Sequence, residues 1–224
     1  MLREPGRVTF STGARRIPAT LIAGLIAALA ILLLAPAAQA DRGIVGYIGG
    51  SAGFGPGQLN IPRGLAINES GAGSGAEAGD IYVGDDGEGN VRVDQFHADG
   101  TFVRAFGWGV VDGSNAFQIC TTKCQGAVEP SPPAAPGSIG NAGDSLAVDQ
   151  TNGDVFVNDA ADVRINVYGS DGTFQGAFGW GVATGASELE FCTTACRAGT
   201  QGSAGGQLAG FDGLGMAPSG GDLY

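Results

Sequence analysis

The sequence is poor in positive charge, in histidine and in helix-forming runs. It has 11 Lys and Arg against 22 Asp and Glu, a net charge of −11, and one histidine, His97. A surface this acidic repels the phosphate backbone that dominates nucleic-acid affinity, which excludes a nucleic-acid partner. One histidine cannot supply a multi-histidine metal centre; at the end of a strand beside a turn, it reads as structural. No Gly-x-Ser-x-Gly elbow marks a nucleophilic serine. No C-x-x-C marks a redox dithiol. The Gly-rich run 71–79 does not lead from a strand into a helix, so a phosphate loop has no support.

What the chain has in abundance is glycine, 42 of 224 residues. The glycines follow no three-residue period, which excludes collagen. With Asp, Asn and Ser they punctuate short apolar runs, the profile of a turn-rich all-β protein.

The amino terminus stands apart. Arg3, Arg7, Arg15 and Arg16 precede the apolar run 21–35, and Ala38-Gln39-Ala40 fits a small-x-small cleavage site. Residues 1–40 are expected to be an export signal cut before Asp41. The alternative is an uncut membrane anchor, but the run is shorter than the roughly 20 residues a spanning helix needs. Cleavage leaves a net charge of −14, no later membrane span, and a secreted or cell-surface product.

The rest is organised by a repeat. Asp99-Gly100-Thr101-Phe102 leads to Phe106-Gly107-Trp108-Gly109, and Asp171-Gly172-Thr173-Phe174 leads to Phe178-Gly179-Trp180-Gly181. The copies are 72 residues apart, as are Cys120 and Cys192, and Cys124 and Cys196. A shared period across strand, aromatic and cysteine positions means duplicated structural units. Each unit is expected to hold four strands. In the first they are 65–68, 80–85, 91–96 and 101–106. In the second they are 146–149, 154–159, 163–168 and 173–178. Gly43 to Ile48 is a further candidate strand, which in a closed ring would complete the last blade. Gly206-Gln207-Leu208 echoes Gly57-Gln58-Leu59, and Gly213 to Tyr224 echoes the start of each unit, so the chain is expected to stop inside a third.

Positions 157–168 carry Val157, Asp159, Asp162, Arg164, Ile165, Val167 and Tyr168. Positions 83–96 carry Val83, Asp85, Asn90, Arg92, Val93 and Phe96 with two extra residues. This pattern resembles the NHL repeat, Val-x-Asp-x-x-Asn-x-Arg-Val-x-Val-Phe. The resemblance covers roughly 57–224. It implies a six-bladed β-propeller of four-stranded antiparallel blades, here an incomplete arc, a truncated product. The expected organisation is signal 1–40, lead-in 41–63, blade one 64–107, long loop 108–143, blade two 144–179, long loop 180–210, and the start of blade three at 211–224. Family repeats run near 40–45 residues. The excess here lies in the two long loops, which read as irregular and hold all four cysteines.

In an exported protein an even cysteine count favours disulfides. Each unit carries one complete C-x3-C, so Cys120–Cys124 and Cys192–Cys196 are the expected pairs; a four-cysteine zinc site is the sharper alternative. Asp85, Arg92, Asp159 and Arg164 read either as a ligand site or as a structural network of arginines with carboxylates and carbonyls. Asp85-Asp86-Gly87-Glu88 and the run 149–154 offer oxygen ligands for Ca²⁺ but read first as turns. No other cofactor is expected. Trp108, Trp180, Phe117 and Phe191 are candidate apolar anchors for a ligand, with a pinned loop base as the alternative for the tryptophans. In a propeller, the fourth-to-first connections and the second-to-third loops emerge on one face, which gathers 108–143, 180–210, 84–90 and 158–162. The function expected is a non-catalytic module binding an extracellular protein or carbohydrate. Several copies assembling into one ring, or part of a lactonase- or lyase-like propeller enzyme with a divalent cation in its channel, are the alternatives.

Overall fold

Strands alternate with Asp-Gly and Asn-Gly turns along the chain, and each strand pairs with its sequence neighbour. The computed structural model describes residues 46–87, 90–140, 142–209, 213–218 and 221–224. The expected signal and its cleavage site, residues 43–45 of the candidate first strand, and Glu88 lie outside the described residues.

The first sheet runs β1 (Pro62–Asn68), β2 (Asp80–Gly87), β3 (Asn90–Phe96), β4 (Phe102–Trp108) and β5 (Phe117–Cys120) in that order, all antiparallel. The second runs β6 (Ala142–Val148), β7 (Val155–Asp159), β8 (Arg164–Tyr168), β9 (Phe174–Trp180) and β10 (Leu189–Cys192) in the same way. Both β3–β4 and β8–β9 turn on an Asp-Gly. Gly100 and Gly172 take φ of 88° and 83°, which a side chain disfavours. The Asp99 and Asp171 carboxylates accept from the Thr101 and Thr173 amides, fixing the turn.

Three expectations are corrected. The units have five strands, because Phe117–Cys120 pairs with Ala105 to Trp108, and Leu189–Cys192 with Ala177 to Trp180. The long loops are therefore partly sheet. Second, β6 begins at Ala142, inside the segment read as loop, and Ala142 pairs with Asp159 beyond a bulge. Third, residues 46–48 form no strand; Ile48 instead packs beside Leu59, Val83 and Phe96.

The two sheets lie face to face. One buried cluster takes Ala66, Tyr82, Val93 and Phe106 from the first, and Leu146, Val148, Val155, Val157 and Tyr168 from the second. Phe106 and Phe117 pack on the Tyr168 ring, at 4.9 and 5.8 Å between centroids. Such contacts add to the burial of apolar area. The register of a third hairpin is also set: Met216 pairs with Leu223 as Val148 pairs with Val155. Ile44–Tyr224 is one compact unit. Two antiparallel sheets stacked in this way are compatible with a β-propeller-like arc. Among the described residues no helix is long and apolar enough to cross a membrane.

Candidate functional site

The end of the sheets that carries the β2–β3 and β7–β8 turns also collects the long connections. A buried arginine in each sheet does the gathering. Arg92, at the start of β3, donates through Nη1 to the carbonyls of Phe54 and Gln125 at 3.0 and 3.1 Å. Its Nη2 reaches the carbonyls of Gly55 and Gln58, both at 3.0 Å, and its Nε the Asp94 carboxylate at 2.9 Å. Arg164 in β8 repeats the scheme. It donates to the carbonyls of Ala134, Ala135 and Ser138 at 2.7, 3.3 and 2.8 Å, and through Nε to Asp159 at 3.2 Å. Both arginines are fully buried. A guanidinium presents donors in a planar fork, so one side chain can tie several carbonyls at once.

The aspartates hold the same loops by accepting from their backbone amides. Asp85 accepts from the Asn60 and Ile61 amides at 2.8 and 2.7 Å. Asp159 accepts from Gly140 and Asp162 amides and from Asn166 Nδ2. Burial pushes the Asp159 carboxyl upward, and the Arg164 charge beside it pulls it back. Burial likewise pushes Asp94 up to about 7, against the opposing pull of Arg92. The four motif residues are thus placed as loop clamps inside the protein.

The cysteines close Cys120–Cys124 and Cys192–Cys196, with S–S distances of 2.06 and 2.10 Å. Each bridge lets the chain turn back from the outer strand toward the clamp: Gln125 N donates to Val110 O and Val128 N to Trp108 O. In the second copy Arg197 N donates to Val182 O and Thr200 N to Trp180 O. Two such pairs are consistent with an extracellular protein.

The four candidate anchors are not brought together. Trp108 is buried, its indole N–H donating to Asn115 at 2.7 Å, at the base of the 109–116 loop. Phe117 lies in the inter-sheet cluster. Trp180 is half-buried. Phe191 is 56% exposed, on the outer strand β10 beside Leu189 at 55%.

The loop tips are polar and locally braced. Gln118 accepts from the Val111 amide and donates to Asp112. The Glu190 carboxylate accepts from the Ala183 and Thr184 amides at 2.9 Å and from the Thr184 hydroxyl, which hold it down to about 2.

Two further features lie elsewhere. His97 Nδ1 is 2.8 Å from Asp80 Oδ1, and Asp80 also accepts from Gln95 and from the Glu77 amide. A groove of about 570 Å³ crosses the inner strands of both sheets and the 214–218 segment, floored by Leu65, Leu146 and Leu214 with Glu69 and Gln150 beside them. Among the described residues no three His, Cys, Asp or Glu side chains converge as a metal site. Glu88 of the acidic cluster lies outside the described residues. The run 149–154 is a turn in which the Asp149 carboxylate accepts from Thr151 and Asp154 pairs with Asn152.

No known family model matches this chain, and no curated protein matches it.

Proposed function

We propose that the chain is a non-catalytic binding module of the NHL-repeat propeller type, exported from the cell, which presents its braced loop tips to an extracellular protein or carbohydrate. The observation that carries the reading is the double clamp. In each unit a disulfide and the backbone bonds beside it fix the root of the tip, 109–116 and 181–188, and in the first unit Arg92 also holds Gln125. Beyond the buried Val110 and Val182 the tips are largely exposed. Loops held by a rigid scaffold are where binding usually resides, and prior ordering lowers the entropy lost on association.

The test is to exchange 111–115 and 183–187 for short Gly-containing turns, which leaves the buried Val110 and Val182 in place. Removing all of 108–143 or 180–210 would take out β5, β10 and the second clamp loop, and so unfold the protein. The variant and the wild type are then compared on a glycan array and by biosensor against extracellular proteins. Ligands held by the wild type and lost by a variant with unchanged melting support the reading. Retained affinity rejects it. Cation-dependent turnover of a lactone would replace it with the enzyme reading.

A further inference from the structure

One loop is built three times. Phe54-Gly55-Pro56-Gly57-Gln58-Leu59 precedes the first sheet, Ala134-Ala135-Pro136-Gly137-Ser138-Ile139 the second, and Ser203-Ala204-Gly205-Gly206-Gln207-Leu208 the third hairpin. The turn closes in the same way in each, although Ala134 alone among the first residues takes a positive φ, 56°. Gln58 N donates to Gly55 O at 3.2 Å, Ser138 N to Ala135 O at 3.0 Å, and Gln207 N to Ala204 O at 2.9 Å. Gly57, Gly137 and Gly206 have φ of 71°, 82° and 85°. The wider closure recurs too, Gly53 N to Leu59 O and Gly202 N to Leu208 O. The amide-capping glutamine also recurs: Gly55 N donates to Gln58 Oε1 at 2.8 Å and Ala204 N to Gln207 Oε1 at 2.9 Å. Each later loop is seated on the sheet before it, Gly137 against Phe117 and Gly206 against Leu189.

In the first two copies three carbonyls converge on a guanidinium: Phe54, Gly55 and Gln58 on Arg92, and Ala134, Ala135 and Ser138 on Arg164. The corresponding carbonyls of the third copy are those of Ser203, Ala204 and Gln207. We propose that the 203–207 loop is a guanidinium-binding site, formed by these three carbonyls. Its backbone is already ordered by its own hydrogen bonds. Its three carbonyls are acceptors at the sequence positions that a planar fork of N–H donors fills twice elsewhere in this chain. A lysine ammonium has no such fork and cannot reach all three with aligned bonds. Leu189 and the Trp180 ring, both against Gly206, suit the stem of an arginine.

A guanidinium can come from an arginine on a further sheet of the same construction or from a separate arginine-bearing ligand. The inference is independent of the loop-tip reading. It is tested on the full chain by amide NMR, with N-acetyl-arginine methylamide as probe and the lysine analogue as control. Saturable shifts confined to Gly202, Ala204, Gln207 and Leu208, with no saturation by the lysine compound, support the site. No shift there, or the same response to lysine, overturns it. A second chain, carrying a copy of Val157–Trp180 fused after Tyr224, separates the sources. If it protects the Ala204 and Gln207 amides from exchange and no longer takes up the probe, the site serves a further sheet. If it folds and takes up the probe with unchanged affinity, the site serves a separate ligand.

Discussion

The Tyr82 hydroxyl of β2 donates to the Ser170 carbonyl in the β8–β9 turn at 2.9 Å, a buried hydrogen bond that crosses from one sheet to the other. Burial pushes the phenol well above its ordinary range, so it is a donor at any physiological pH. Arg104 supports the same contact through the Asp171 carbonyl at 2.8 Å. Removing the hydroxyl leaves a buried carbonyl without its partner. Tyr82→Phe should therefore lower unfolding stability by about 1–3 kcal/mol, read by urea denaturation. Stability equal to wild type would mean the bond adds nothing to the sheet contact.

Asp94 and Asn166 occupy equivalent positions, and the difference is a buried charge. Asn166 Nδ2 donates to Ser138 O and Asp159 Oδ2. Asp94 is bound by Arg92 through one oxygen, while Oδ1 has no partner among the described residues. Its pKa is raised from 3.8 to about 7. Between those values the folded state holds more protons than the unfolded, so this group's contribution to stability falls as pH rises from about 4 to 7. Asp94→Asn should match wild type near pH 4 and exceed it at pH 8 by about 1–3 kcal/mol. A destabilised variant at pH 8 would show that the Arg92–Asp94 pair outweighs the desolvation of the carboxylate.

His97 moves in the same sense, through a favourable interaction of its charged form. Its hydrogen bond to Asp80, with Asp80, Glu77 and Asp99 charges nearby, raises its pKa above 6.5. The stabilisation is fully present below the unfolded value and is lost as pH rises through the folded one. His97→Gln should lose most stability at about pH 5.5 and little at about pH 9, measured by urea midpoints. A loss that does not vary with pH would assign the residue to packing alone.

Each disulfide closes a five-residue loop, Cys120 to Cys124 and Cys192 to Cys196. Chain-entropy arguments put each at roughly 2 kcal/mol. Replacing Cys192 and Cys196 by serine should lower the thermal midpoint and raise protease cutting within 193–200, leaving 120–124 intact. Unchanged midpoint and cutting would mean that the turn forms without the bridge.

Eight of the ten strands among the described residues were legible because Asp-Gly turns and alternating residues bracket them. β5 and β10 were not, since four residues between Gly-, Ser- and Thr-rich stretches carry too little pattern. Their pairing comes from the open edges of β4 and β9. The arginine clamps were half legible. Arg92 and Arg164 stand out in a repeated motif, but their partners are backbone carbonyls, which any residue supplies. Phe117 and Phe191 show the same limit. They sit two residues apart in the repeat alignment, yet one is inside the inter-sheet cluster and the other is exposed. The sequence at Arg104 and Gly176 hints at the cause: the arginine bridges to the second sheet, and the glycine lets Phe191 lie over it.

The claim that organises the structure is that each motif arginine holds its own loop. Amide hydrogen exchange on Arg92→Lys and Arg164→Lys tests it most directly. A lysine keeps the charge but cannot hold three carbonyls. The account predicts faster exchange of 53–61 in the first variant alone, and of 134–140 in the second alone. Exchange unchanged in both loops would contradict it and return the two arginines to the set of free ligand-site candidates.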